Sequence, residues 1–214
     1  MIGRGGLLVV ATRNRGKTTE FRQAFSKLGI EVRDLNETAG IPEIEETGTT
    51  FFENAMIKAR TAAEILGLPV LADDSGLCVD ALGGEPGVYS ARYAGEHATD
   101  ADNNAKLMRA LSDRSRENES GDGGGRPSDY GPARFVSSLV LFSPGNESYL
   151  EAEGTVEGFI LTEPRGTGGF GYDPYFWLPE YGKSMAELTV DEKNAVSHRG
   201  RALRKLLDLI ETNG

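Results

Sequence analysis

Three short stretches of the chain combine residue types that can do chemistry. The first, Ala11 to Thr18, reads ATRNRGKT and lies between an apolar run, Leu7 to Val10, and a helical pattern. Free N–H groups at a helix N-terminus, with the helix dipole behind them, attract anions, and Arg13, Arg15 and Lys17 add positive charge. Gly16, Lys17 and Thr18 match the G-K-[ST] end of a Walker A loop, but Ala11 stands where its leading glycine belongs. A Cβ there strains the wrap of backbone around a phosphate. The stretch therefore reads as a phosphate-gripping loop of another kind. The plain alternative is a basic first helical turn with no ligand, which is weakened because positive charge at that end opposes the dipole.

The second stretch, Val70 to Gly76, reads VLADDSG, an apolar strand ending in two carboxylates and a hydroxyl. If the strand extends that far, successive side chains point to opposite faces, and Asp73 and Asp74 do not easily share one metal. We favour Asp74, beside Ser75, as the functional acid. Asp-Asp-Ser-Gly is also ordinary turn material, and the basic loop is what shifts the reading. Mg²⁺ is commonly held by one or two carboxylates together with substrate phosphates, so an acid belongs near a triphosphate. Glu45 and Glu46, shortly before a predicted helix, are candidate second ligands.

The third, Arg165 to Asp173, reads RGTGGFGYD and contains a literal G-x-G-x-x-G. A dinucleotide fingerprint requires a helix to start there. Pro174 and the β-prone Tyr175, Phe176 and Trp177 follow instead, so the match is accidental. The functional alternative is a loop presenting Phe170 as a stacking plate and Asp173 as an acceptor to a base; the plain one is a glycine-rich hairpin with Phe170 in the core. Lys193, His198 and Arg199 bring donors near the start of a last helix, although a charged, solvated helix start reads the same way. With two histidines in the chain, a multi-histidine zinc site is excluded.

The elements that must position these groups follow from periodicity. Leu7 to Val10 reads as a strand, and Phe21, Ala24, Phe25 and Leu28 as one face of a helix from Lys17 to Leu28. Thr50 and Glu53 form a capping box ahead of Phe52, Ala55, Met56, Ala59 and Ala63. Pro69 to Ala72 reads as a buried strand. Thr99 and Asp102 repeat the cap before Leu107, Met108 and Leu111. Asp113 to Pro132, DRSRENESGDGGGRPSDYGP, has no aliphatic residue and is predicted to be a mobile surface loop. Phe135 to Phe142, Ser148 to Glu153, Val156 to Leu161 and Tyr172 to Leu178 are β-rich runs, and Ser197 to Ile210 is an amphipathic helix. Helices and strands alternate early and strands cluster late, so a mixed α/β sheet with a hairpin-built second lobe is expected rather than a doubly wound parallel sheet.

The 214 residues carry a net charge of −10, which argues against a partner with a long nucleic-acid backbone. The acidity is local: Asp34 to Glu53 holds six acids and no base. The lone Cys78 forms no internal disulfide and reads as a small buried hydrophobe. Leu7 to Ala11 is too short for a signal-peptide core or a membrane span, so a cytoplasmic protein is expected.

Taken together, ATRNRGK, EETGTTFFENAMIKA, LADDSGLCVDALGGEPGVYSARYAG, GTGGFGYDP and SHRGRAL resemble the Ham1/RdgB family of inosine triphosphate pyrophosphatases, in matching order from Leu7 to about Leu209. The resemblance implies one two-lobed domain over residues 1–214 with an elongated mixed sheet, a cleft between the lobes, a flexible insertion at about 113–132, and a homodimer. It implies Mg²⁺-dependent hydrolysis of ITP, dITP or XTP to monophosphate and pyrophosphate. By motif, Thr12, Arg13, Asn14, Arg15, Gly16 and Lys17 would hold the phosphates, Glu46 and Asp74 the metal, and Asp74 would be the catalytic acceptor. Ser75 would touch substrate, and Phe170, Gly171, Tyr172, Asp173, Lys193, His198 and Arg199 would form the base pocket. The family often has glycine where this chain has Arg13, so that side chain would add a phosphate contact or narrow the entrance. A P-loop NTPase and a non-catalytic nucleotide-binding module are the competing readings.

Overall fold

The computed structural model describes residues 6–118 and 129–212. Its strands are β1 (Leu7–Val10), β2 (Glu31–Asp34), β3 (Val70–Val79), β4 (Asp129–Ser143), β5 (Ser148–Leu161), β6 (Phe176–Leu178) and β7 (Lys183–Ser184), in the sheet order β2-β1-β3-β4-β5-β6-β7. β1 runs parallel to β2 and β3, whereas β6 runs antiparallel to β5 and β7, so the sheet is mixed, as expected. The helices are α1 (Arg15–Ser26), α2 (Phe51–Leu66), α3 (Asp100–Asn118), α4 (Val190–Val196) and α5 (His198–Thr212). Two compact units divide the chain: Met1–Ser75, Ser137–Thr155 and Asn194–Gly214 form the first, and Gly76–Val136 with Val156–Lys193 form the second.

In the first unit the period-two geometry of strands sorts the core into two layers. Leu8 and Val10 of β1, Leu71 of β3 and Leu139 and Leu141 of β4 pack with Phe21 and Phe25 of α1 and Ala202, Leu203 and Leu206 of α5. Their neighbours Val9, Val70, Ala72, Val140 and Phe142 pack with Ala55, Ala59, Ala62 and Ala63 of α2. β1 and β3 are thus apolar on both faces, which is why they read as unbroken apolar runs. α2 starts where the capping box places it: the Thr50 hydroxyl accepts from Glu53 N–H, and the Glu53 carboxylate accepts from Thr50 N–H.

Four expectations change. β3 does not end at Ala72 but continues to Val79: β1 pairs with it only at Val70 and Leu71, and its other neighbour in the sheet is the long strand β4. The segment read as loop from Asp113 to Pro132 is regular at both ends: α3 runs to Asn118 and β4 begins at Asp129, while 119–128 lie outside the described residues. β5 passes unbroken through Gly154, where a Cβ would strike the His198 carbonyl and the Ala202 amide of α5; the glycine permits close helix approach instead of ending the strand. Tyr172 to Tyr175 is not strand, since Asp173–Tyr175 forms a single 3₁₀ turn around Pro174, which has no N–H to give a ladder.

Candidate functional site

The β1–α1 connection is built from its own polar groups. Asn14 caps α1, its side-chain oxygen accepting from Gly16 N–H at 2.8 Å and Lys17 N–H at 3.1 Å, and the Thr12 hydroxyl accepts from Asn14 N–H at 3.1 Å. The amides expected to be open to an anion are therefore satisfied internally at Gly16 and Lys17, which also departs from a Walker loop, whose amides face the phosphate. Charge remains on side chains: Arg15 is exposed and Lys17 is mostly buried. Arg13 does not extend this set. Its guanidinium donates to the carbonyls of Leu35 at 3.1 Å and Ile41 at 2.8 Å, fastening the chain after β2.

Alternation along β3 decides the fate of the two aspartates. Asp73 follows Leu71 onto the α1 and α5 face and is 1% exposed. There Lys17 Nζ lies 3.0 Å from its carboxylate, Arg199 donates at 3.0 Å, and the Ser137 hydroxyl donates at 2.7 Å. Burial opposes ionisation, but the Arg199 and Lys17 charges overcome it and hold the Asp73 carboxyl far below the usual range. Arg199 also pairs with the buried Glu20 and donates to the Ser75 hydroxyl at 2.9 Å. Its fork thus serves Asp73, Glu20 and Ser75 within the first unit. Burial lowers the Lys17 pKa despite Asp73. His198, the first residue of α5, is buried.

Asp74 follows Ala72 onto the α2 face. Lys58 of α2 donates to Asp74 at 2.8 Å and to Glu46 at 2.8 Å, and also to the Asp73 carbonyl at 3.0 Å. Asn54 lies 3.4 Å from the other Asp74 oxygen, and its own oxygen accepts from Gly48 N–H at 2.8 Å, tying the Glu46 segment to the helix. Burial raises the Asp74 pKa, and Lys58 offsets this only in part; the two carboxylates raise that of Lys58 against its burial. Glu46 and Asp74 are thus brought together as expected, by a lysine that the sequence reading missed. Its signal was present: one basic residue on the small, buried face Ala55, Ala59, Ala62. Glu20 and Ser137 were missed too, being identifiable only through their partners. Two hard carboxylate oxygens are the donor type Mg²⁺ takes alongside phosphates. Among the described residues no group of three or more His, Cys, Asp or Glu could hold a metal ion.

In the second unit Phe170, Asp173 and Lys193 come together. Asp173 accepts from Phe170 N–H at 2.8 Å and from Lys193 Nζ at 2.8 Å, and that ammonium sits 4.8 Å from the centre of the Phe170 ring. The tight return requires glycine at 169, with φ +72°, since a Cβ there would overlap the Asp173 carboxylate. Tyr172 is buried, and its hydroxyl donates to Ser90 O at 2.8 Å. Cys78 in β3 is half-buried rather than fully buried, and burial pushes its thiol pKa up, away from nucleophilic character.

The Ham1 family model matches residues 8–209. The chain belongs to the Ham1 family. It is 51% identical over 199 residues, covering 93% of this chain and 91% of the relative, to a dITP/XTP pyrophosphatase of Geobacillus kaustophilus. A dITP/XTP pyrophosphatase of Streptococcus pyogenes is 48% identical over 210 residues; there 97% of this chain matches 60% of a longer relative. Among solved structures, a Ham1 protein from Coxiella burnetii superposes with TM-score 0.80 at 42% identity, covering 100% of both chains. The Staphylococcus aureus Ham1 protein gives 0.77 at 38% identity, over 97% of this chain and 100% of that one. Among the described residues of this Ham1 protein, no helix is long and apolar enough to cross a membrane.

Proposed function

We propose that this Ham1-family protein is a pyrophosphatase that hydrolyses ITP, dITP or XTP to the monophosphate and pyrophosphate, clearing non-canonical purines from the nucleotide pool. The observation that carries the reading is the convergence of Glu46 and Asp74 on Lys58, one strand position away from the Asp73 ion-pair network. Neighbouring carboxylates whose pKa values are pushed apart are the usual mark of divided roles. Asp73 stays ionised and orients Lys17 and Arg199. Asp74, more basic through burial, takes the proton of the water that attacks the α-phosphorus as the bond to the pyrophosphate oxygen breaks. Glu46 and Asp74 would hold Mg²⁺, which when bound neutralises charge on the phosphate oxygens.

Arg15 and Lys17 supply cationic charge for the triphosphate, with Thr12, Asn14 and Gly16 fixing the loop that carries them and Arg13 bracing it from behind. Ser75, oriented by Arg199, contacts the substrate. Phe170 stacks on the purine. By the family resemblance Gly171, Tyr172, Asp173, Lys193, His198 and Arg199 contact the base, with Lys193 donating to a 6-oxo group; an adenine amino group there would leave a buried donor facing a donor. The internally capped α1 speaks against a P-loop NTPase. The family resemblance supports a cytoplasmic homodimer, checked by light scattering. The deciding assay is product analysis across ITP, XTP, ATP and GTP with and without Mg²⁺. Metal-dependent pyrophosphate from ITP or XTP, much faster than from ATP or GTP, is expected, and orthophosphate as the product would overturn the reading.

A further inference from the structure

Both backbone polar groups of Gly171 are held by one helix. Its N–H donates to Asp100 at 2.7 Å, and its carbonyl accepts from the Asn104 side chain at 2.9 Å. Asp100 and Asn104 are four residues apart, on one side of the first turn of α3. The loop they grip has glycines at 166, 168, 169 and 171, three of them with positive φ, so the loop's own sequence does little to restrict its conformations. Asp173 accepts from the Phe170 amide and from Lys193 of α4, and Gly168 N–H donates to the Ala186 carbonyl at 3.1 Å, but none of these bonds engages the Gly171 peptide. The hold on Gly171 itself comes from α3. The same turn carries Asn103, 3% exposed, which bonds Ala91 O at 3.1 Å and Ala94 N at 2.8 Å, next to Ser90, whose carbonyl takes the Tyr172 hydroxyl.

We propose that Asp100 and Asn104 are positioning residues for base selection: by clamping the Gly171 peptide they set the place of the Phe170 ring and of the Asp173–Lys193 pair. The inference rests on the reading of that loop as the base site. Rotation about the Gly171 backbone moves Phe170 relative to Lys193, and each lost bond also leaves a backbone group seeking a new partner. The clamp acts on ground-state binding of the base and not on the reacting phosphorus, so its loss separates KM from kcat.

The test is steady-state kinetics on Asn104→Ala, Asp100→Ala and Asp100→Asn with ITP and GTP, with calorimetric binding of IMP and thermal melting on the same samples. Asn104→Ala and Asp100→Ala are expected to raise KM for ITP about fivefold, weaken IMP binding in parallel, leave kcat within about twofold and narrow the ITP-to-GTP ratio of kcat/KM. Asp100→Asn keeps an acceptor for Gly171 N–H and should recover most of the loss. Because Asp100 also opens α3, where an acid favours the dipole, Asn104→Ala is the variant free of that effect. Unchanged KM, IMP affinity and selectivity in an active enzyme would overturn the clamp alone, as would a fall in kcat and melting temperature with KM unchanged. A wild-type protein that neither hydrolyses ITP nor binds IMP would remove the base-site reading itself.

Discussion

On one face of β3, Asp73 is enclosed by Lys17, Arg199 and Ser137 and stays charged far into acid. On the other, Asp74 shares a single lysine with Glu46 and is made more basic by burial. The residues are identical and adjacent. What separates them is the number of cations that each face of the strand offers: Lys17 and Arg199 for Asp73 and Glu20 on one side, and Lys58 alone divided between Glu46 and Asp74 on the other. The first face has the satisfied ion pairs of a structural scaffold, while the second keeps capacity for a proton or a cation.

The largest expected effect breaks the second face. Asp74→Asn should lower kcat by about 10²- to 10⁴-fold, the range for loss of a general base, while the melting temperature holds or rises. The sign follows from the raised pKa: at pH 7 the ionised carboxylate costs the fold stability that the amide does not. Asp73→Asn should instead cost about 3–5 kcal/mol in denaturant unfolding, because Lys17 loses its carboxylate and Arg199 keeps only Glu20. Its depressed pKa means that the wild type has this stabilisation in full above the unfolded value of about 4 and loses it as pH falls. The gap between wild type and variant should therefore narrow in melts below pH 4, and a gap independent of pH would contradict the ion-pair account. Ser137→Ala removes one bond to Asp73 and should cost about 1.5–3 kcal/mol, with kcat within twofold.

Much of this arrangement was legible beforehand. The capping box at Thr50 and Glu53, the apolar runs of β1 and β3, and the rule that consecutive aspartates face opposite ways if the strand continues are all local signals. Whether the strand continues is not local: Ser75 and Gly76 look like turn material, and the neighbouring strand β4 overrides that preference. Lys58 was quoted within a motif but given no role, because a lysine among alanines declares its purpose only when the opposing strand is known. The carboxylate partners of Arg199 were hidden for the same reason: a guanidinium near a helix start gives no local sign that Asp73 and Glu20 lie against it.

The continuation of β3 through both aspartates also bears on which changes of chain length the protein can absorb. A single residue inserted between Val70 and Asp73, or removed there, would turn Asp73 toward Lys58 and Asp74 toward Arg199, exchanging the carboxylates while every side chain remained present. Lengthening or shortening is therefore a sharper threat to this enzyme than many substitutions, and the place where it strikes is four residues wide.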